Sequence, residues 1–278
     1  MLEQEVAFAI EIAKKAGGIL LDVYRTDFGV DWKDTDGSPV TEADRRANAL
    51  LVEALAQRFV GDGIVSEEGA DQGSACGKSR VWYVDPLDGT REFVARNGEF
   101  SVMVGLALDG EARLGVVYQP TTDKLYVGQV LVGAWRFSGG EKTPLCAGAT
   151  LALGAPRLVV SRSHRPAITD ELVRVLGITQ EVACGSVGLK VGLIAENQAE
   201  LYVHMSDRAA AWDLCAPDAI LRAAQGRFTD VVGEPIAYDP HELRATTGIL
   251  ACSRAVFDTV APHVATVARR VGVRPVSK

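Results

Sequence analysis

Residues 82–93 read Trp-Tyr-Val-Asp-Pro-Leu-Asp-Gly-Thr-Arg-Glu-Phe. An apolar run that predicts a strand leads straight into two aspartates three residues apart, Asp85 and Asp88. Pro86 and Gly89 predict a turn here. Leu87, apolar between the acids, is free to turn its backbone carbonyl toward them. Two carboxylates and a carbonyl on a tight turn are hard oxygen ligands, the donor set that Mg²⁺ prefers. Gly89 and Thr90 open the next segment, where free backbone N–H groups can hold a phosphate as a helix N-terminus does. The plain alternative is an Asx turn after an edge strand.

Three further segments carry acids. In Ser66-Glu67-Glu68-Gly69 two adjacent carboxylates repel each other unless a cation or solvent relieves them. The pair lies at the end of a predicted strand, shortly before the aspartates, and so joins them as a further ligand candidate. In Trp212-Asp213-Leu214-Cys215-Ala216-Pro217, Asp213 stands at an N-cap position with Pro217 in the first turn. Plain N-capping explains that aspartate. In Ser38-Pro39-Val40-Thr41-Glu42-Ala43-Asp44, Thr41 and Asp44 have capping-box spacing, with Asp where Glu or Gln is usual.

The elements that must position these residues follow from periodicity. Residues 3–24 predict an amphipathic helix with Val6, Ala9, Ile10, Ala13, Ala16, Leu20 and Val23 on one face. A second helix starts near Thr41 and presents Ala47, Leu50, Leu51, Ala54 and Leu55. Asp31–Pro39 between them is a loop or a weak hairpin. Ile64–Ser66, Val81–Val84, Phe100–Leu108, Leu114–Gln119, Lys124–Val127 and Ala134–Phe137 predict a mainly antiparallel sheet. Ser138–Pro156, rich in Gly, Pro, Thr and Ala, is the predicted domain boundary. Beyond it strands (Arg157–Ser161, Glu200–Val203, Gly248–Ala251) alternate with helices (Thr169–Leu176, Gly188–Glu196, Asp213–Ala224, Ser253–Val271). The expected organisation is an α+β domain over 1–147 and an α/β domain over 148–278, with a ligand cleft between them.

Composition bounds the function. The 278 residues include 29 Lys and Arg against 36 Asp and Glu, a net charge of −7, with 47% apolar and 23% charged residues. Those proportions exclude wholesale disorder, and the acidic balance argues against a nucleic-acid polymer as partner. The N-terminus has acids before its bases and does not read as a signal peptide, and no apolar stretch approaches the roughly 18 residues of a membrane span. Five scattered cysteines, Cys76, Cys146, Cys184, Cys215 and Cys252, show no zinc spacing and predict free thiols in a reducing cytoplasm.

Together these motifs resemble the lithium-sensitive, Mg²⁺-dependent phosphomonoesterases of the inositol monophosphatase and fructose-1,6-bisphosphatase superfamily. Its pattern is a Glu-Glu pair, then DP(I/L)DGT, then a distant WD, and all three occur here in that order, from Ser38 to about Tyr238. The details point to the bacterial CysQ-like branch, the 3′(2′),5′-bisphosphate nucleotidases. Residues 88–93 and 96–100 look like its DGTKEF and RNGEF. Val160–His164 resembles its SRSH segment, and Gly185-Ser186 with Lys190 resembles GSSLK. Trp212–Leu221 resembles WDTCAPEAIL. Leu214 departs from the usual Thr, Val203-His204 from Pro-Arg, and Val187-Gly188 from the branch's Ser.

The resemblance implies an alternating αβαβα layered sandwich of inositol monophosphatase/fructose-1,6-bisphosphatase type. It implies two or three Mg²⁺ ions, held by Glu67, Asp85, the Leu87 carbonyl, Asp88 and Asp213. It implies attack on phosphorus by a metal-activated water, with Thr90 and Asp44 as the activating pair and Glu67 assisting. Glu68 would stand behind the ligands or serve a third ion. Gly89 and Thr90 would hold the scissile phosphate, Ser186 and Lys190 the 5′-phosphate, and His164 the adenosine. The reaction implied is removal of the 3′-phosphate of adenosine 3′,5′-bisphosphate to give AMP, with 3′-phosphoadenylyl sulfate as a further substrate, in a cytoplasmic monomer or homodimer of the sulfur-assimilation economy. Two other readings stay open: a phosphatase of the same fold acting on inositol or sugar phosphates, and a non-catalytic phospholigand sensor.

Overall fold

Apolar side chains recurring every three to four residues wind the start of the chain into helix. In the computed structural model, which describes residues 2–33, 39–69, 73–148, 155–163, 165, 168–205, 209–244 and 247–270, α1 (Glu3–Tyr24) buries Ala9, Ile12, Ala13, Ala16, Leu20 and Val23. The predicted stripe is rotated slightly, so that Ile12 rather than Ile10 faces fully inward. Of the two readings for Asp31–Pro39, the hairpin is found: β1 (Val30–Trp32) pairs antiparallel with β2 (Pro39–Thr41). α2 (Glu42–Arg58) begins on a full capping box. The Thr41 hydroxyl accepts from the Ala43 N–H at 3.1 Å, and the Thr41 N–H donates to Asp44 Oδ2 at 2.7 Å.

Seven strands follow as one sheet in sequence order: β3 (Gly63–Ser66), β4 (Arg80–Asp88), β5 (Ser101–Leu108), β6 (Glu111–Gln119), β7 (Lys124–Gln129), β8 (Gly133–Ser138) and β9 (Glu141–Leu145). Only β3 and β4 run parallel. α3 (Thr90–Val94) is a short insertion between β4 and β5. β9 corrects the predicted boundary at Ser138–Pro156. Residues 141–145 pair with β8 through a turn at Gly139 and Gly140, both with positive φ, so the first half of that stretch belongs to the sheet.

The second sheet is mixed, with spatial order β11-β10-β12-β14-β13. Its strands are β10 (Leu158–Ser161), β11 (Glu181–Cys184), β12 (Leu201–His204), β13 (Arg227–Thr229) and β14 (Ile249–Cys252). β11 and β13 were not predicted. Helices α4 (Ile168–Leu176), α5 (Val187–Ala195), α6 (Ala211–Ala223) and α7 (Arg254–Arg270) complete the chain.

The layers alternate. α1 and α2 cover one face of the large sheet through Trp82, Val84, Val102, Val104 and Leu106. α5 and α6 lie between the sheets, on the opposite face carrying Tyr83, Met103 and Val117. α4 and α7 close the outer face of the small sheet on Leu250, Val256, Val260 and Val264. This is the expected αβαβα sandwich, with both faces of each sheet buried.

Three glycines set how closely α6 approaches. Gly105, Gly115 and Gly128 are cross-strand partners on β5, β6 and β7. A Cβ at these positions would stand 2.7 Å from the Ala216 nitrogen, 2.1 Å from the Ala216 oxygen and 2.4 Å from the Ile220 Cα. The helix backbone therefore rests on the sheet backbone along a groove free of side chains. This contact brings the first turn of α6 to the end of β4.

Candidate active site

Asp85 and Asp88 are three residues apart, and on a regular strand they would face opposite sides of the sheet. A bulge prevents that: Asp85 pairs with Met103 but Asp88 with Ser101, three steps on β4 against two on β5. The predicted turn at Pro86 and Gly89 is thus corrected to a bulge within a strand that continues to Asp88. The extra residue returns both carboxylates to one side. Gly89 then turns the chain with φ 95°, and a Cβ there would stand 3.0 Å from the Glu99 oxygen.

Asp213 reaches the same place from α6. Its position is corrected too. The helix starts two residues earlier than expected, Ala210 is the N-cap, and Asp213 is the third helical residue, accepting from the Ala210 N–H at 2.7 Å. Pro217 accordingly lies in the helix interior rather than the first turn. It lacks the N–H that would bond the Asp213 carbonyl four residues back.

Each aspartate anchors one oxygen. Asp85 Oδ1 accepts from the Leu87 N–H at 2.9 Å, and Asp88 Oδ2 from the Ser186 hydroxyl and, at 3.0 Å, the Gly188 N–H. Asp213 uses Oδ2 on Ala210. Asp85 and Asp88 are almost fully buried. Burial pushes the Asp85 carboxyl well above its ordinary range, and the charges of Glu67, Asp88 and Asp213 push it further. Burial does the same to Asp213, followed by Glu67 and Asp88. Burial raises Asp88 as well, with Lys190 opposing. Burial raises all three aspartates, and neighbouring carboxylates add to it at Asp85 and Asp213, so the site favours added positive charge.

Glu67, at the end of β3, joins through a side-chain hydrogen bond with Asp85. Lys33, just after β1, lies 2.8 Å from Glu67 Oε1 and also pairs with Glu68. Burial works against the ammonium, yet the two glutamates hold its pKa above the ordinary value. Sequence reasoning missed Lys33, since a lysine in a polar loop gives no signal of its own.

Thr90 and Asp44 do meet, across 46 residues of chain. The Thr90 hydroxyl sits 3.3 Å from Asp44 Oδ1 and 3.2 Å from the Leu87 carbonyl oxygen. Asp44 Oδ2 accepts from both the Thr41 N–H and the Thr41 hydroxyl, each at 2.7 Å. The capping box therefore aims Asp44 at Thr90, and capping and site roles coexist in one side chain. Burial raises the Asp44 carboxyl to about 6 against the two Thr41 bonds.

Ser186 and Lys190 both lie near Asp88. Ser186, at φ 56°, is the buried N-cap of α5: its hydroxyl bonds Asp88 and accepts from the Leu189 N–H at 3.1 Å. Lys190 is buried beside Asp88, its ammonium 5.0 Å from the Tyr202 ring centroid. Ser186 thus bonds Asp88 directly, and Lys190 acts on it through its charge. Lys190 also lines a cavity of about 130 Å³ with Ser161, Arg165, Tyr202 and His204. Glu99, bonded by Arg162 at 2.6 Å and by the Gly185 N–H at 2.7 Å, fixes the loop that precedes Ser186 and ties together three of the matched motifs. Cys215 is buried where α6 meets the glycine groove, and burial pushes its thiol pKa up. His164 and Ser38 lie outside the described residues.

An αβαβα sandwich that gathers buried carboxylates from three elements beside a Thr–Asp pair defines a metal-dependent phosphatase class. The Inositol monophosphatase family pattern matches residues 1–268, and the chain belongs to that family and is a phosphatase. The chain is similar to the 3′(2′),5′-bisphosphate nucleotidase CysQ of Escherichia coli (strain K12), 35% identical over 235 residues, covering 84% of this chain and 93% of the relative. It is also similar to the inositol-1-monophosphatase of Bacillus subtilis (strain 168), 27% identical over 235 residues, 82% of this chain and 87% of the relative. The solved structure of CysQ from Bacteroides thetaiotaomicron, a bacterial member of the inositol monophosphatase family, superimposes with a TM-score of 0.77 at 30% identity, covering 90% of this chain and 97% of that one. Members of the family are metal-dependent, with Mg²⁺ the usual ion. Among the described residues no helix is long and apolar enough to cross a membrane.

Proposed function

We propose that this phosphatase removes the 3′-phosphate of adenosine 3′,5′-bisphosphate to give AMP, with 3′-phosphoadenylyl sulfate as a further substrate. The similarity to the nucleotidase of Escherichia coli supports the substrate. The observation that carries the chemistry is the Thr90–Asp44 contact beside Asp85 and Asp213, whose carboxyls burial and neighbouring acids push up.

By chemistry the donor set is one that Mg²⁺ takes, though among the described residues no three acidic, His or Cys side chains are gathered closely enough to hold an ion as they stand. The set is all oxygen and strongly anionic, and each aspartate is anchored to the protein through a named oxygen. Glu67, Asp85 and the Leu87 carbonyl would hold one ion, and Asp85, Asp88 and Asp213 a second, with Glu68 available to a third. Bound divalent ions supply the positive charge that an attacking water and a leaving oxygen both need.

The remaining work falls to the chain's own groups. The Thr90 hydroxyl donates to Asp44 Oδ1, which turns the Thr90 lone pairs outward to accept a proton from the attacking water. Asp44, raised to about 6, is ionised at neutral pH yet basic enough to take that proton. The N–H groups of Gly89 and Thr90 hold the scissile phosphate in line, and Glu67 assists. Lys190, buried in the lining of its cavity, supplies the cation that a second phosphate on the ligand requires.

The test is phosphate release from adenosine 3′,5′-bisphosphate and from inositol 1-phosphate side by side, with Mg²⁺, with and without lithium. A strong, lithium-sensitive preference for the nucleotide is expected. Preference for the inositol ester would keep the metal chemistry and overturn the substrate. That second reading is favoured by one observation, the similarity to the Bacillus subtilis enzyme.

A further inference from the structure

The C-terminal end of α6 opens on a cavity of about 450 Å³ that the proposed reaction does not use. Arg222 comes from the last turn of α6, Arg227 from β13 and Arg254 from the start of α7. Three arginines line one cavity, where like charges repel, in a chain whose net charge is −7. The described residues do little to relieve them. Arg254 has no ion pair. Arg227 lies over the Phe257 ring at 5.5 Å and pairs with no carboxylate. Arg222 meets Asp218 only at 3.8 Å.

The rim is strained as well as basic. Leu131, in the turn between β7 and β8, has φ 71° and is 93% exposed. Gln225, between α6 and β13, has φ 66°. Neither is glycine, and such conformations persist where the surroundings hold them, often at ligand sites. Arg222 follows Asp213 by nine residues on the same helix, a rise of roughly 13 Å. The cavity is therefore separate from the carboxylate centre and linked to it by one rigid element.

We propose that this cleft is a second anion site, which takes a tetrahedral phosphate or sulfate group of a small molecule. Guanidinium groups bind such oxyanions in forked pairs of charge-assisted hydrogen bonds, and the exposed Leu131 side chain offers an apolar edge to the rest of the ligand. The inference does not depend on the reaction proposed above, and its test reads binding rather than turnover.

The full chain is titrated by calorimetry with inorganic phosphate and, separately, inorganic sulfate, with and without Mg²⁺, against chloride at equal ionic strength. The expected result is a saturable class for phosphate, sulfate or both, present without Mg²⁺ and unchanged in Lys190→Gln. Arg254→Gln weakens it by about tenfold, as does Arg222→Gln, and Arg254→Lys retains most of it. Arg254 is exposed and makes no side-chain contact that folding needs, so its variant keeps the test sound should Arg222→Gln fail to fold. The ratio of the phosphate and sulfate affinities identifies the group preferred. Equal affinity in the wild type and the Arg254 variant, loss in Lys190→Gln, or no saturation beyond chloride would overturn the proposal.

Discussion

At the residue scale the site works by dividing the oxygens of each carboxylate. Asp44 gives Oδ2 to Thr41 and Oδ1 to Thr90. Asp44→Asn keeps the shape but cannot take the proton, and kcat is expected to fall by about 10²–10⁴ with KM little changed. Thr90→Ala should fall comparably, and the double variant should lose little more, since the two act as a unit. Ser186 separates two roles. If it orients Asp88, Ser186→Ala lowers kcat on every phosphoester the enzyme accepts. If it contacts the 5′-phosphate, KM rises for the bisphosphate alone. The bond to Asp88 predicts the first outcome, read by comparing the bisphosphate with a monophosphate.

At the element scale the critical contact is α6 on its glycine groove. Gly115→Ala places a methyl carbon 2.1 Å from the Ala216 oxygen. Backbone cannot yield as a side chain can, so α6 must lift. A loss of about 2–4 kcal/mol in denaturant unfolding is expected, with a fall in activity because Asp213 rides on the same helix. A stable and fully active Gly115→Ala would show that the helix has room to spare. Farther along α6, Asp218 is buried, accepts from the Tyr238 hydroxyl at 2.9 Å, and is raised by burial from 3.8 to about 7. The folded state holds this proton more tightly than the unfolded chain. The contribution to stability is complete below about pH 4 and is lost as pH rises toward 7. Asp218→Asn should therefore unfold at higher denaturant than the wild type at pH 8, with the advantage shrinking toward pH 4. An equal shift at both pH values would place the effect elsewhere.

At the scale of the whole molecule, four repelling carboxylates from β3, β4 and α6 are a cost of assembly that cations offset. Mg²⁺ should raise the melting temperature in proportion to its binding. Removal by EDTA should reverse the gain. Asp213→Asn, with one repelling charge gone, should stabilise the metal-free protein while reducing the rise that Mg²⁺ produces. A rise the same as that of the wild type would exclude Asp213 from the cation site. The buried cluster around Tyr83, Met103, Ala216 and Ile249 draws on both sheets, so melting should be one transition over both halves of the chain.

Much of this was legible in the residues. The stripe of α1, the β-rich middle and the αβ alternation after residue 157 follow from local periodicity, which one sequence displays. The acids at 67, 85, 88 and 213 were legible because their types and spacing match a known pattern. What was not legible depends on partners distant in the chain. The bulge at Pro86-Leu87 exists only in register against β5, since a one-residue slip has no meaning for a strand taken alone. The glycine trio carries a weak local signal, glycine inside a strand, but its meaning needs α6 lying across it. That Ser186 and Lys190 lie near Asp88 is visible only in the fold. The sequence by itself thus determined which groups can do the chemistry and which segments are helix or strand, because propensity and periodicity are local. Tertiary structure alone decided which oxygens remain free, what each buried charge faces, and that Thr90 meets Asp44 across 46 residues, because burial and electrostatics are properties of neighbours in space.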